Sequence, residues 1–406
     1  MANNNNKDKC NVPHLRFPEF TGEWKMATFG DIAKGFDYGM NAAAKSFDGN
    51  NKYIRITDID EVSSQYLYDD VVSPDGELED RYLVKENDIL LARTGASTGK
   101  SYLYRNSDGK LYFAGFLIRA NIYKHNSYFV FSQLHTLRYK KWISVMSARS
   151  GQPGINSQEY ASFPVYTTSL QEEDKIATFL KLLDERMITQ NKIIEKYESL
   201  IKGLNDSLYA QYGDDVLTSF SSLGFSYSGL SGKSAQDFGS GKPFITYLNV
   251  YSNNIINEKD FQYVAIKEGE KQNVVEYGDV LFTLSSETPE EVGIGSVYLG
   301  NENVYLNSFC FGIHIINTKI AFPPYLSYYV SSTPFRKFIY PYAQGSTRFN
   351  LCKVDFEKAS IKLPSLENQK RIYSILSHIE SKTETEKSLL DLYNSQKQYL
   401  LRQMFI

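Results

Sequence analysis

The chain has 406 residues and a formal net charge of -3, with 44 lysines and arginines against 47 aspartates and glutamates. This length favours two or three domains, and a hydrophobic content of 42% with 31 tyrosines and 25 phenylalanines excludes global disorder. The charge balance excludes a uniformly basic nucleic-acid binder, so any DNA contact must come from local positive patches or a partner. The 3 cysteines lack metal-ligand spacing, so we expect reduced thiols, no metal site and a cytoplasmic protein.

The first half of the chain predicts a disordered, asparagine-rich leader over residues 1–10 and a globular domain that ends at residue 168. Asp88 opens a short apolar strand, and residues 113–122 form a second strand-like run. Glycine-containing loops are predicted at residues 94–101 and 150–156. No stretch approaches the roughly 18 apolar residues that a membrane span needs, so we expect no membrane partner.

A long helix is predicted over residues 169–212, because apolar residues recur there at alternating spacings of four and three. Such a stripe is typical of a coiled coil, in which a second helix covers it. Its predicted interface residues are Ile176, Leu180, Leu183, Ile194, Tyr197, Ile201, Leu204 and Leu208.

The second half repeats the first at an offset of about 196 residues, which predicts a domain over 213–364 and a helix over 365–406. The interface residues of this second helix are Ile372, Leu376, Ile379, Leu390, Tyr393 and Leu400. Polar Gln190 and Glu386 occupy equivalent places on the two stripes, and they either fix the register or dock a partner. The expected fold class is α+β, with two homologous mixed α/β domains separated by two long antiparallel coiled-coil helices.

Two strings resemble catalytic motifs, but each breaks at an essential position. A phosphate-binding P-loop needs glycine where Thr94 stands, and the base-holding motif of amino-methyltransferases needs Asp or Asn where Phe322 stands. The 5 histidines lack metal-ligand spacing, and no GxSxG nucleophile elbow appears. We therefore expect a chain that is not an enzyme, with no catalytic, cofactor-binding or metal-binding residues, and a self-contained NTPase or methylase is the least favoured interpretation.

Flexible polar loops recur in both halves. Asn41 and Lys45 belong to the first, and residues 229–242, with Lys233 and Lys242, belong to the second. Lysine and amide side chains suit hydrogen bonds to phosphates and base edges. Each loop alone is more often solvated surface, and it is their recurrence that favours nucleic-acid binding.

Several of these features together resemble the specificity (S) subunit of type I restriction-modification enzymes, over nearly the whole chain. They are the VPHLRFPEFTGEWK segment at 12–25, the strand entries at Asp88 and Asp279, the RTGASTGKS turn and the duplicated Ser-Leu-Gln/Glu helix starts. The resemblance implies two target recognition domains, each of which reads one half of a bipartite, gapped site in double-stranded DNA.

The same resemblance implies two modification subunits, which carry S-adenosylmethionine and methylate adenine, and separate restriction and translocase subunits, which use ATP with Mg2+. It also directs attention to the loops around residues 93–100, 149–156, 285–288 and 344–350. The candidate DNA contacts are Asn41, Lys45, Arg93, Thr94, Ser97, Lys100, Arg149, Gln152 and Asn156 in the first half, and Lys233, Lys242, Ser286, Thr288, Gln344, Ser346, Thr347 and Arg348 in the second.

A different class of function also fits the pattern. Two β-rich modules on a coiled-coil rod would serve as a non-enzymatic scaffold that binds protein or glycan. Salt distinguishes the two hypotheses, because DNA binding weakens steeply as the salt concentration rises.

Overall fold

The structure is a computed structural model that describes residues 11–148, 152–213 and 215–406. The chain divides into two compact units, here called unit 1 (Met1–Asn191 with Ser388–Ile406) and unit 2 (Lys192–Lys387). Each unit therefore contains one globular body and part of each long helix. The predicted leader over residues 1–10 lies outside the described residues.

In the described residues, unit 1 begins with a body of ten strands and four short helices, followed by the long helix α5. The strands are β1 (Lys25–Thr28), β2 (Ala33–Tyr38), β3 (Ala43–Ser46), β4 (Lys52–Ile54), β5 (Val72–Asp75), β6 (Asp88–Ala92), β7 (Ser101–Leu103), β8 (Leu111–Phe113), β9 (Leu117–Ile122) and β10 (Pro164–Thr167). The helices are α1 (Phe29–Ile32), α2 (Ser127–Gln133), α3 (Leu137–Met146), α4 (Ser157–Ala161) and α5 (Leu170–Tyr212), which continues into unit 2.

The main sheet of unit 1 is antiparallel and has the strand order β2-β9-β6-β7. Strand β6 lies at its centre and is buried along its whole length, as its apolar sequence predicts. Strand β1 pairs with β10, β3 pairs with β5, and β4 pairs in parallel with β8.

Unit 2 repeats this plan with its own elements. Its strands are β11 (Val216–Thr218), β12 (Gly224–Ser228), β13 (Phe238–Ile245), β14 (Gln262–Val264), β15 (Val280–Thr283), β16 (Ser285–Ser286), β17 (Gly295–Val297), β18 (Tyr305–Leu306), β19 (Cys310–Ile315), β20 (Ala343–Gln344), β21 (Phe349–Leu351) and β22 (Ile361–Leu363). Its helices are α6 (Phe220–Leu223), α7 (Tyr247–Ser252), α8 (Pro323–Tyr329), α9 (Thr333–Ile339), α10 (Lys353–Lys358) and α11 (Leu366–Gln403), whose C-terminal part belongs to unit 1.

The main sheet of unit 2 has the order β12-β19-β15-β17, which matches that of unit 1 strand for strand. The first and last strands of each body also pair, β1 with β10 and β11 with β22. Two smaller sheets, β14-β13-β18 and β16-β21-β20, complete unit 2. The predicted fold class, two homologous mixed α/β domains with long helices, is thereby confirmed.

The ends of the long helices are built into the cores of the bodies. Ile176 and Leu180 of α5 and Phe405 near the C-terminus pack in one buried cluster with Trp24. In unit 2, Ile372 and Leu376 of α11 join the phenylalanine-rich core of the body. Burying an apolar side chain of this size stabilises the fold by about 1.5 to 3 kcal/mol, so each helix end is held firmly.

Within each unit the two long helices run antiparallel. In unit 1, the Lys397 Nζ lies 2.8 Å from the Asp184 Oδ1, and Arg186 lies 5.0 Å from the ring centre of Tyr393. In unit 2, the Lys387 Nζ lies 2.9 Å from the Glu198 Oε1. All of the predicted interface residues named above are buried or half-buried.

The structure corrects one detail of the predicted strands. Residues 113–122 form two strands, β8 and β9, because a turn over Ala114–Phe116 interrupts the apolar run. The equivalent run over 306–315 is interrupted by a turn over Asn307–Phe309. Gly115, and Asn307 with Ser308, are residues that favour such turns.

Candidate nucleic-acid interface

In unit 1 the two predicted recognition loops lie side by side at the end of β6. The Ile155 N–H donates to the Arg93 carbonyl oxygen at 2.9 Å, and the Gly95 N–H donates to the Pro153 oxygen at 3.0 Å. The Arg93 N–H in turn donates to the Phe116 oxygen at 3.1 Å. Segments that are far apart in sequence are thus joined at Arg93.

Unit 2 builds the same junction from different side chains. The Leu351 N–H donates to the Leu284 oxygen at 2.9 Å, and the Leu284 N–H donates to the Phe309 oxygen at 2.9 Å. Leu284, Phe309 and Leu351 therefore correspond to Arg93, Phe116 and Ile155. We call these two places junction 1 and junction 2.

A glycine completes each junction by allowing two backbones to approach closely. The Gly39 N–H donates to the Leu117 oxygen, and the Gly229 N–H donates to the Cys310 oxygen, both at 3.2 Å. A Cβ on Gly39 would lie 2.2 Å from the Ala114 oxygen, and one on Gly229 would lie 2.1 Å from the Asn307 oxygen. Since such contacts are forbidden, both positions need glycine.

Arg93 is held in place at junction 1 while part of its guanidinium stays available. Its Nε donates to the Gly115 oxygen at 3.0 Å, and its guanidinium lies 5.0 Å from the ring centre of Tyr38. Within the described part of the chain, no hydrogen bond or ion pair involves its two terminal nitrogens. A hydrogen bond with Ser157 lowers the pKa of the Tyr38 hydroxyl, and the charge of Arg93 acts in the same direction.

An open cavity of about 580 Å³ lies beside Arg93. Tyr38, Asn41, Arg55 and Phe116 also line it. The Arg55 guanidinium is occupied by Asp58 and Asp70, at 2.7 and 2.9 Å. Arg93 is therefore the arginine of this cavity that is better placed to bind an acceptor from outside.

Junction 2 presents Arg348 from the connection between β20 and β21. The guanidinium lies 6.0 Å from the ring centre of Phe309, and the Arg348 side chain is exposed. Gly345 has a φ of 145°, which favours glycine, and residues 346–348 after it form a bend. Gln344, Ser346 and Thr347 are also exposed.

Four of the predicted DNA contacts are engaged inside the chain. The Lys100 side chain is 12% exposed and donates to the Ile59 oxygen at 2.9 Å, and the Lys233 side chain is 6% exposed. Lys233 binds Glu270, and this hydrogen bond lowers the pKa of Glu270 to about 2. The Asn156 side chain caps α4, and the Ser286 hydroxyl donates to Glu291 at 3.0 Å.

The other predicted contacts are more accessible. Asn41, Lys45, Gln152, Lys242 and Thr288 are exposed, and Thr94 and Ser97 are half-buried. Lys45 lies 3.6 Å from Asp75 in an exposed pair, which is worth little. Arg149 lies outside the described residues.

Phe116 and Phe309 were not among the predicted DNA contacts. Their side chains are 61% and 56% exposed, which is unusual for phenylalanine, and both contribute to the junctions. The sequence did hold a signal for these two residues, because turn-forming residues stand beside each of them within an otherwise apolar run.

The described residues contain neither a candidate metal cluster nor a candidate membrane-spanning helix. No group of three or more His, Cys, Asp and Glu side chains there has an arrangement that suits a metal ion. Nor is any described helix both long enough and apolar enough to cross a membrane.

Comparison with known proteins agrees with the duplicated architecture. The fold is similar to the crystal structure of the type I restriction-modification S subunit from M. genitalium, with a TM-score of 0.57, 14% identity, and coverage of 97% of this chain and 99% of that one. It is also similar to a chain from a study of complex assembly and conformational transition of the type I R-M system, with a TM-score of 0.55, 15% identity, and coverage of 96% and 97%. The family model for the type I restriction modification DNA specificity domain matches residues 21–199 and again residues 231–392. Because these matches extend over most of both halves, the chain belongs to the family of type I restriction-modification DNA specificity proteins.

Proposed function

We propose that junction 1 and junction 2 are the places where this specificity subunit reads DNA, each reading one half of a bipartite, gapped site. The observation that carries the proposal is that one backbone arrangement occurs twice with different side chains. Two half-sites of different sequence require such a pair of readers.

Arg93 and Arg348 are the proposed readers of guanine. An arginine fork binds the O6 and N7 atoms of guanine in the major groove through two parallel hydrogen bonds. Tyr38 and the Gly115 oxygen fix the Arg93 side chain from behind, so little side-chain entropy remains to be lost on binding. Gln152 and Gln344, both exposed, are the proposed contacts to adenine.

The chain itself performs no chemistry in this proposal. In the cytoplasm it directs two modification subunits, which hold S-adenosylmethionine, to methylate adenine, and it directs ATP- and Mg2+-dependent subunits to restrict unmodified DNA. A net charge of -3 is compatible with this role if the partners supply many of the phosphate contacts.

Half-site selectivity tests the proposal. In the complex assembled with modification subunits, Arg93→Ala and Arg348→Ala should each weaken binding by about 1 to 3 kcal/mol and relax base preference in one half-site, a different one for each variant. Binding to a library of duplexes randomised in both half-sites measures this. Arg81→Ala, at an exposed arginine of unit 1, is the matched control.

Unchanged preference in both half-sites would remove the two arginines from the readout. The scaffold hypothesis with a glycan partner predicts a different pattern, in which binding depends little on salt. A steep loss of affinity between low and high salt therefore favours DNA over a glycan.

A further inference from the structure

We propose that Phe116 and Phe309 are wedge residues that press their rings against a base step, one in each half-site. This inference rests on the proposed function and adds a mode of readout to it. Arginine recognises base edges through direct hydrogen bonds. A wedge residue instead inserts between two adjacent base pairs, so its binding depends on how easily that pair of bases unstacks.

The two rings lie at equivalent positions, each in a turn between two strands. The Leu117 N–H donates to the Ala114 oxygen at 2.8 Å, and the Cys310 N–H donates to the Asn307 oxygen at 3.0 Å. Each bond closes a four-residue turn with phenylalanine at the third position. Glycine, asparagine and aspartate favour that position, so local turn preference does not explain an aromatic residue there.

The rings of Phe116 and Phe309 contribute little to the cores of their own units. More than half of each side chain is exposed, whereas Phe113 and Phe311, a few residues away, are 0% and 1% exposed. Exposing a large aromatic ring to water is unfavourable, and here the same exposure occurs at equivalent positions of both units. Exposure at equivalent positions of both units indicates a shared role for the two rings.

An arginine lies near each ring, and its positive charge favours DNA as the occupant. Arg348 lies 6.0 Å from the ring centre of Phe309, and Arg93 shares its cavity with Phe116. A protruding aromatic ring beside an arginine suits a nucleic acid, because the ring contacts base faces while the guanidinium binds phosphate or a base edge.

The test uses the complex with modification subunits and a duplex that carries its methylation site. Adenine positions in both half-sites are replaced one at a time with 2-aminopurine, whose fluorescence rises on unstacking, and the methylated adenine itself is left out of the comparison. The wild-type complex should raise the fluorescence at one step in each half-site. Phe116→Ala should abolish the rise in one half-site and Phe309→Ala in the other, each with about tenfold to hundredfold weaker binding.

Matched controls and rescue variants show whether the effect is specific to these two rings. Phe47→Ala in unit 1 and Phe225→Ala in unit 2 remove other exposed phenylalanines, and they should leave both signals unchanged. Phe116→Trp and Phe309→Trp should restore the fluorescence rise, because tryptophan also presents a flat ring.

Each remaining outcome overturns the proposal in a distinguishable way. Half-site selectivity that persists with an unaltered fluorescence profile in both alanine variants refutes the wedge and leaves the proposed function intact. Loss of modification subunits from the purified variants would show that the rings dock protein. A wild-type complex without half-site selectivity overturns both proposals.

Discussion

Arg93 and Arg348 lie at corresponding junctions but are held in different ways. Arg93 is fixed by the ring of Tyr38 and the oxygen of Gly115, whereas Arg348 stands exposed in the bend after Gly345. Arg93 should therefore lose less conformational entropy on binding a base than Arg348 does.

This difference predicts an unequal response to lysine. Arg93→Lys and Arg348→Lys both keep the charge but lose the planar fork, so each should relax guanine preference nearly as much as alanine does. Overall affinity should recover more fully for Arg348→Lys, because the side chain at this position is exposed and its ammonium can reach a phosphate. Affinities of both variants for matched and mismatched half-sites measure this, and full recovery of guanine preference by lysine would contradict the assigned role.

A half-buried histidine, His135, predicts a pH dependence of stability. Burial and the nearby charge of Lys397 lower the pKa of His135 to about 4, whereas the hydrogen bond with the Phe131 oxygen and the charge of Asp184 act in the opposite direction. The unfolded chain takes up this proton near pH 6.5. The contribution is therefore fully present above about pH 6.5 and is lost as the pH falls towards about 4, by up to about 3 kcal/mol.

Unfolding of wild type and His135→Gln by urea at several pH values tests this prediction. The variant should lose less stability than the wild type between pH 6.5 and 4. His14→Gln, at an exposed position, is the control substitution. Identical pH profiles for His135→Gln and wild type would contradict the assignment.

At the scale of elements, equivalent tyrosine–carboxylate hydrogen bonds connect the long helices to the bodies. The Tyr128 hydroxyl of α2 donates to Asp184 of α5, and the Tyr328 hydroxyl of α8 donates to Glu380 of α11. Burial and the adjacent carboxylate raise the pKa of both tyrosines, so the hydroxyls keep their protons at neutral pH.

Removing either hydroxyl should destabilise its own unit. Tyr128→Phe and Tyr328→Phe should each lower the free energy of unfolding by about 1.5 to 3 kcal/mol, because a partly buried carboxylate loses a hydrogen bond. Tyr123→Phe removes a long, exposed hydroxyl contact to the Asp31 oxygen and should change stability by less than about 0.5 kcal/mol. Denaturant unfolding gives the values, and equal effects at Tyr123 and Tyr128 would refute the connecting role of these hydrogen bonds.

The sequence predicts the helix stripes well because apolar periodicity is a strong, local signal. It does not predict that Ile176 and Ile372 pack into the bodies, since a stripe shows that a face is buried but not what covers it. Nor does it predict the roles of Glu173 and Gln369, which accept the Asn126 and Phe322 N–H groups at 2.9 and 2.7 Å. Such long-range contacts have no local pattern.

At the scale of the whole molecule, duplication is the feature that joins sequence, fold and function. The repeated motifs predict two bodies of one fold, and the identical order of the main sheets follows. The candidate site was harder to predict, because whether a lysine is exposed depends on distant partners. Lys233, for example, is of a residue type that suits a DNA contact, but its side chain is nearly buried against Glu270.

The most direct test of the central claim is a map of N6-methyladenine. The chain would be coexpressed with its modification subunit in a host that lacks other adenine methylation, and the host genome would be read by single-molecule sequencing. Two recognition units in one chain predict a single gapped, bipartite motif that is methylated on both strands. A soluble, complete complex that methylates either no motif or a continuous, ungapped one would contradict the account.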